Sequence, residues 1–263
     1  MRADVFLASG GYAPSREQAK RLILEGLVTV DGKPLRRAAE EIGEGAHTVT
    51  VSGPERFVSR GGNKLEAALA AFGLIPSGWR ALDIGASTGG FTDCLLRHGV
   101  AEVVAVDSGA GQLAEALRGD PRVRSREHCN ARDLTAETIG GRVRLIVMDV
   151  SFISATLILP RFPALLESVG DAVCLIKPQF EAGKEKVGKK GVVRDPAVHE
   201  EVLADFVALA EQLPMTIRNL TFSPVKGPEG NIEFLAHLSM EPGENHYPPL
   251  HELVEQAHAA LKG

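Results

Sequence analysis

The sequence is poor in the features that mark three classes of protein. Its three cysteines, Cys94, Cys129 and Cys174, lack the close spacing of a zinc site and the even number of a disulfide framework. The longest apolar stretch, LIVMDVSFISATLIL, is interrupted by Asp149 and by serines, so it falls short of a membrane span. The amino terminus, MRADVFLASGG, lacks the apolar core of a secretory signal. We therefore expect no disulfide scaffold, metal site or membrane span, and a cytoplasmic location.

An overall excess of positive charge is also missing. The 29 Lys and Arg residues against 34 Asp and Glu give a formal net charge of −5, which is not typical of a protein that coats nucleic acid. The charges are unevenly distributed, however. Residues 1–37 hold seven basic and four acidic side chains, whereas residues 38–55 hold acidic side chains but no Lys or Arg. The sequence therefore predicts a locally basic region at the amino terminus.

This basic region has the pattern of a helix followed by a hairpin. Ser15 and Gln18 form a capping-box pattern at the start of a helix predicted over 15–26. The segments LVTV and KPLR then read as two strands, because the Asp-Gly pair at 31–32 favours a type I′ turn. HTVTV at 47–51 is a further predicted strand.

Residues 4–35 resemble the S4 RNA-binding domain. The similarity lies in the Ser-Arg pair at the helix start and in the hairpin GLVTVDGK, which fits G-x-V-x-V-[DN]-G-K. The resemblance implies a small α+β domain over 1–58. A linker is predicted near 52–59 (SGPERFVS), because Gly, Pro and Ser lie there between two patterned regions. The resemblance also implies RNA contacts by Arg2, Arg16, Lys20, Arg21 and Lys33. The alternative for these basic side chains is a solvated helix face.

From about residue 60 the pattern changes to alternating strands and helices. Strands are predicted at RALDIG (80–85), EVVAVD (102–107), RLIVMDV (144–150) and DAVCLIKP (171–178). Their apolar runs are continuous, which is typical of parallel strands that are covered on both faces. The sequence thus predicts an α/β chain whose second domain, residues 59–263, is a doubly wound Rossmann-like sheet.

A glycine-rich turn follows the first of these strands and reads Asp83, Ile84, Gly85, Ala86, Ser87, Thr88, Gly89, Gly90. A dinucleotide fingerprint would place a second glycine where Ser87 stands, which disfavours NAD. The acid-G-x-x-x-G-G pattern resembles motif I of S-adenosylmethionine methyltransferases. Asp107, at the end of the next strand, is where such folds bind ribose hydroxyls. Asp133 is either an adenine-side contact or the N-cap of a helix over TAETIG.

Four charged residues lie at the predicted sheet edge or beside it. Asp149 and Lys177 end predicted strands, Lys64 begins a helix after SRGGN, and Glu233 opens a late strand. Ligands bind outside the carboxyl ends of the strands in such sheets, and a lysine that ends an apolar strand needs a partner. These four residues are therefore the candidate reacting groups.

The order Lys64, Asp149, Lys177, Glu233 matches the catalytic tetrad of FtsJ-like ribose 2′-O-methyltransferases. Over nearly all residues to about 240, the chain resembles the TlyA family, on the motifs SRGGNKL, DIGASTGGFTD, MDVSFIS, IKPQFEAGKEKVGKKGVVRDP and SPVKGPEGNIEF. The resemblance implies S-adenosylmethionine as cofactor, ribosomal RNA or ribosomal subunits as partner, and methylation of a cytidine 2′-hydroxyl. Phe152 would pack near the methionine part of the cofactor, or else belong to the core.

The chemistry leaves two roles open for Lys177. As a cation it would stabilise charge developing on the attacking oxygen, and as an amine it would be the base. Asp149 and Glu233 would hold the two lysines in place.

The loop 183–194 follows Lys177 closely and has a local charge of +4 from Lys184, Lys186, Lys189, Lys190 and Arg194 against Glu185. Its glycines suggest flexibility. We expect it to bind RNA phosphates near the pocket, the alternative being a solubilising loop. Three rival functions remain open from the sequence: a noncatalytic RNA-binding module, a membrane-active haemolysin and an NAD oxidoreductase.

Overall fold

The computed structural model describes residues 1–24, 26–43, 45, 47–51 and 56–262. The chain falls into two compact units that divide between Arg56 and Phe57. Residues 52–55 of the expected linker lie outside the described residues.

The first unit contains the expected helix and hairpin. Its elements are α1 (Ala3–Ser9), α2 (Arg16–Leu24), β1 (Val28–Val30), β2 (Lys33–Pro34) and β3 (Val49–Val51). The backbone N–H of Gln18 donates to Ser15 Oγ at 3.2 Å, which caps α2. Asp31 and Gly32 have φ angles of 51° and 73°, as a type I′ turn requires. The hairpin is thus confirmed, and β3 pairs antiparallel with β1 to give the order β2-β1-β3.

The second unit is built on a seven-stranded sheet of order β6-β5-β4-β7-β8-β10-β9. Its strands are β4 (Arg80–Ile84), β5 (Glu102–Val106), β6 (Val123–Arg126), β7 (Val143–Met148), β8 (Leu166–Ile176), β9 (Thr216–Phe222) and β10 (Phe234–Ser239). Strands β4 to β8 pair in parallel, and β10 runs antiparallel to both of its neighbours.

Helices cover both faces of this sheet. They are α3 (Gly61–Phe72), α4 (Gly90–Arg97), α5 (Glu115–Arg118), α6 (Ala136–Ile139), α7 (Phe162–Leu165), α8 (Pro178–Glu181), α9 (Pro196–Ala210) and α10 (Leu250–Ala260). Leu82 and Ile84 belong to one buried cluster, whereas Ala81 belongs to another. Alternate residues of one strand therefore face two cores, which confirms the doubly wound α/β fold.

The structure corrects one interpretation of Asp133. Helix α6 begins at Ala136, and its N-cap is Thr135, which exchanges hydrogen bonds with Thr138. Asp133 lies in a short 3-10 turn that ends before this cap, so its interpretation as the N-cap is wrong. In the described part of the chain, no helix combines the length and the apolar character needed to cross a membrane.

Candidate active site

The fold brings all four candidate reacting residues to one edge of the sheet. Asp149 directly follows β7 and Lys177 directly follows β8, so both lie at carboxyl ends of parallel strands. Lys64 lies in the first turn of α3. Glu233 precedes β10, whose first residue pairs with the last residue of β8. The topology therefore explains why residues far apart in sequence meet here.

The four residues form two lysine–carboxylate pairs. Lys64 Nζ lies 2.5 Å from Glu233 Oε2, and Lys177 Nζ lies 2.5 Å from Asp149 Oδ1. Lys64 and Lys177 are only 6% and 7% exposed, and Glu233 is fully buried. A buried charge is tolerated when an opposite charge compensates it. The pairing thus holds both ammonium groups at the edge of the sheet in fixed positions.

Two further residues contact these pairs, and the sequence did not single them out. Lys177 Nζ donates to Ser151 Oγ at 2.9 Å, and Gln179 Nε2 donates to Glu233 Oε1 at 3.3 Å. At Gly227 a Cβ atom would overlap the Glu233 carboxylate. Ser151 and Gln179 each lie two residues from a tetrad member, which is the signal that could have found them.

Two cavities that share wall residues open at this edge. The smaller, of about 240 Å³, is lined by Lys64, Asp149 and Lys177 together with the glycine-rich turn. The larger, of about 610 Å³, extends past Asp107 and Phe152. Both cavities include Gly85, Ser87, Asp149 and Ser151 in their walls. The two cavities therefore adjoin along Asp149, Ser151 and the glycine-rich turn.

The glycine-rich turn is shaped by its backbone. Gly85 has a φ of 84°, and a Cβ atom there would overlap the carbonyl oxygen of Asp149, so only glycine fits. Asp107 accepts backbone N–H groups from Ser87 at 2.8 Å and from Gly109 at 2.7 Å. A carboxylate has further lone pairs, so Asp107 can still accept a hydrogen bond from a ligand in the larger cavity.

Of the other candidate residues of the turn, some line the smaller cavity and one packs behind the turn. Ala86, Thr88 and Gly90 line the smaller cavity. Gly89 is instead the N-cap of α4, with a φ of 97°, and a Cβ atom there would overlap Leu117. Gly89 therefore supports the turn from behind.

Asp83 lies beneath the turn, fully buried, and accepts a hydrogen bond from Thr92 Oγ1 at 2.6 Å. Burial raises the pKa of Asp83 to about 7, against the opposing effect of the Thr92 hydrogen bond. The structure does not bring Asp83 to either cavity wall. Asp133 is exposed, and its neighbours Ala131 and Arg132 line the larger cavity in its place.

Phe152 lines the larger cavity but is 93% exposed, so its interpretation as a core residue is wrong. Its φ of 64° is unusual for a bulky residue, and its ring packs against Phe180 at 5.2 Å. Glu181 holds the following segment, because its carboxylate accepts Ser154 Oγ at 2.5 Å and the Ala155 N–H at 2.7 Å. Burial raises the pKa of Glu181 despite these bonds.

The candidate RNA-binding residues occupy two separate regions. In the first unit, Arg2 and Arg16 each lie 3.0 Å from the buried carboxylate of Asp4, and Lys20 pairs with the exposed Glu17. Lys33 is exposed on the hairpin, and Arg21 lies in the last turn of α2.

In the second unit, the loop that follows α8 lines a cavity of about 490 Å³ with Lys186, Lys189, Lys190 and Arg194. Lys186 also pairs with Glu201 of α9, while Lys184 is exposed at the start of the loop. The loop therefore presents a cluster of cations around one concave surface.

Comparison with known proteins relates the two units to two families. The family model for the FtsJ-like methyltransferases matches residues 57–240, and that for the S4 domain matches residues 1–47. The chain is 46% identical to the 16S/23S rRNA (cytidine-2′-O)-methyltransferase TlyA of Mycobacterium tuberculosis over 238 residues, covering 90% of this chain and 89% of that protein. It is 43% identical to Hemolysin A of Brachyspira hyodysenteriae, covering 90% of this chain and 99% of the relative.

The likeness extends to a solved structure. A Streptococcus thermophilus protein that carries the name hemolysin superposes with a TM-score of 0.78 at 44% identity, covering 100% of this chain and 97% of that one. The chain therefore belongs to the FtsJ-like methyltransferase family, as a TlyA-type member with an S4 domain at its amino terminus.

Proposed function

We propose that this protein transfers a methyl group from S-adenosylmethionine to the 2′-hydroxyl of a cytidine in ribosomal RNA, and that it acts in the cytoplasm. The observation that carries the proposal is the meeting of Lys64, Asp149 and Lys177 with the glycine-rich turn in the wall of one cavity. The name of the M. tuberculosis relative supports the substrate class.

The larger cavity fits S-adenosylmethionine in size and in chemistry. Its volume of about 610 Å³ lies within the ordinary range for small-molecule sites. Gly85 and Ser87 of the glycine-rich turn form part of its wall, and Asp107 offers a carboxylate to ribose hydroxyls. When bound, S-adenosylmethionine supplies an electrophilic methyl group. Phe152 would form part of the wall of this cavity.

The Lys177–Asp149 pair places a positive and a negative charge side by side in the wall of the smaller cavity. The ammonium of Lys177, fixed by Asp149 and Ser151, stabilises negative charge on the attacking 2′-oxygen in a site shielded from water. Asp149, which is also in the cavity wall, can take up the proton released from the hydroxyl. We therefore assign the cationic role to Lys177 and the acceptor role to Asp149.

The Lys64–Glu233 pair has a different task. Lys64 lines the smaller cavity, whereas Glu233 is fully buried beneath it. Lys64 can thus contact the substrate ribose, and Glu233 acts through Lys64 by fixing its ammonium. Much of the rate would come from this fixed geometry.

We propose that RNA is held by two groups of cations, one on the amino-terminal domain (residues 1–58) and one in the loop 183–194 of the methyltransferase domain (residues 59–263). The first group is Arg2, Arg16, Lys20, Arg21 and Lys33, and the second is Lys184, Lys186, Lys189, Lys190 and Arg194. Phosphate contacts of this kind position the RNA without reading its sequence.

The test is transfer of a labelled methyl group to each purified ribosomal subunit, followed by mapping of the modified nucleotide. We expect a 2′-O-methyl cytidine in the wild type and a rate lower by about 100-fold or more in Lys177→Ala, as for loss of a group that stabilises an oxyanion. Lys262→Ala, which removes an exposed lysine, is the matched control and should leave the rate unchanged. Full activity of Lys177→Ala would overturn the tetrad assignment.

Calorimetry separates the rival functions. Binding of S-adenosylmethionine but not of NAD is expected here, whereas an oxidoreductase would show the reverse. RNA binding without any methyl transfer would indicate the noncatalytic module.

A further inference from the structure

One buried asparagine joins the basic loop to the turn before β10, close to Glu233. Asn231 is 2% exposed. Its Oδ1 accepts the backbone N–H of Val193 at 3.1 Å, and its Nδ2 donates to the carbonyl of Gly191 at 2.9 Å. Its own backbone carbonyl accepts the N–H of Gly227 at 2.9 Å. A single residue thus ties the loop to the turn before β10.

The loop that Asn231 holds ends in a closed turn. The N–H of Gly191 donates to the carbonyl of Gly188 at 3.1 Å, and the N–H of Gly188 donates to the carbonyl of Val192 at 3.0 Å. Lys189 and Lys190 are therefore the two corner residues of a hydrogen-bonded turn, and Lys190 has a φ of 73°. These contacts fix the backbone from which the Lys189 and Lys190 side chains extend.

Both ends of the loop are connected to residues that lie close to Lys177 or Glu233 in the sequence. Its beginning continues from α8, which starts directly after Lys177. Its end is bonded to Asn231, two residues before Glu233. Val193, whose N–H donates to Asn231, is only 2% exposed, so this end of the loop is buried as well as hydrogen-bonded.

We propose that Asn231 is a positioning residue that sets the Lys189–Lys190 turn relative to the tetrad, so that an RNA phosphate bound at the turn places the target ribose beside Lys177. This inference rests on the proposed function and deepens it by naming what aligns the substrate. The physical reason is that a displacement of about 1 Å in a reacting group can cost a large factor in rate.

The test is a double-mutant cycle measured as kcat/KM for methyl transfer to ribosomal RNA. We expect Asn231→Ala to lower kcat/KM about tenfold, as for the loss of two buried hydrogen bonds. The paired change Lys189→Ala with Lys190→Ala should also cost about tenfold in the wild-type background, because it removes phosphate contacts. In the Asn231→Ala background the same lysine changes should cost less than about threefold, since the turn is no longer aligned.

A general loss of stability would give a different result, because the two losses would then multiply. Asn231→Asp is the second variant: it keeps an acceptor for the Val193 N–H but turns a carboxylate oxygen toward the Gly191 carbonyl, so a loss at least as large as that of Asn231→Ala is expected. Asn219→Ala, on β9, is the matched control and should leave kcat/KM unchanged. Independent losses in the cycle would overturn the inference.

Hydrogen exchange gives a readout that does not depend on activity. The Val193 amide should lose protection in Asn231→Ala, while the Ser223 amide, which donates to the Glu233 carbonyl at 2.8 Å, keeps it. Retained protection of Val193 would contradict the inference. If the wild type transferred no methyl group to ribosomal RNA, the proposed function would fail instead, so the two failures are distinguishable.

Discussion

Asp4 in the first unit and Glu233 in the second are both fully buried carboxylates with cationic partners, yet the partners differ in their exposure to water. The side chains of Arg2 and Arg16 beside Asp4 are 49% and 56% exposed, whereas that of Lys64 beside Glu233 is 7% exposed. The Arg2 and Arg16 guanidinium groups hold the pKa of Asp4 well below its ordinary value. Asp4 therefore holds two guanidinium groups that remain exposed and can contact a polyanion. Glu233 instead holds a lysine that is buried and lines a cavity.

Asp83 extends this comparison to a carboxylate whose side-chain partner is a hydroxyl. Thr92 donates to its Oδ2, and within the described ranges its buried Oδ1 has no hydrogen-bond partner. Burial accordingly raises its pKa, whereas the cations beside Asp4 lower the pKa of that carboxyl. The nature of the partner, rather than burial alone, decides which protonation state the fold favours.

The largest expected effect comes from breaking the buried pair. Glu233→Gln leaves the Lys64 ammonium without its countercharge in a buried position, so we expect the free energy of unfolding to fall by about 3 kcal/mol. Urea denaturation measures this loss. Adding Lys64→Met should recover part of the stability but none of the methyl transfer. A double variant that is no more stable than Glu233→Gln would contradict the assignment of a buried ion pair.

Asp83→Asn tests whether folding raises the pKa of Asp83, the buried carboxylate whose side-chain partner is a hydroxyl rather than a cation. Because its pKa is raised from 3.8 to about 7 in the folded state, the unfolded chain binds fewer protons than the folded one between these values, and stability is lost as the pH rises. This loss is up to about 1.4 kcal/mol per pH unit. Asparagine does not titrate and can still accept the Thr92 hydrogen bond.

The check is urea denaturation of the wild type and of Asp83→Asn at pH 5 and pH 7. The variant should lose less stability than the wild type over this interval. Equal changes in the two proteins would show that folding does not raise the pKa of Asp83.

The sequence could predict those parts of the site that depend on local pattern and topology. The Asp31-Gly32 turn follows from residue type, and Asp149 and Lys177 meet because both end neighbouring parallel strands. Strands β4, β5, β7 and β8 could be predicted from their apolar runs. These features need few long-range contacts to specify them.

The rest depends on contacts that have no local pattern. Asn231 bonds to Val193 across 38 residues, and Gln179 bonds to Glu233 across 54, so no periodicity could reveal either bond. Phe152 looked equally suited to core and cavity, and the structure places it, 93% exposed, in the wall of the larger cavity. Thr135 took the capping role considered for Asp133 because its hydroxyl can exchange bonds with Thr138.

The smallest expected effect concerns the exposed cations beside Asp4. Arg16→Ala removes a guanidinium that is 56% exposed, so we expect little change in the free energy of unfolding. Affinity for ribosomal RNA should fall about three- to tenfold at low salt, and the slope of log affinity against log salt should decrease by about 0.7 to 0.9, as for one lost phosphate contact. Filter binding at several salt concentrations measures both. Arg161→Ala, an exposed arginine of the second unit outside both basic groups, is the control and should change neither. The opposite result would be that Arg16→Ala lowers the free energy of unfolding as much as Glu233→Gln does and leaves the salt slope unchanged. That result would show that Arg16 stabilises the first unit rather than binding RNA, and it would contradict the contrast between the exposed arginines beside Asp4 and the buried Lys64.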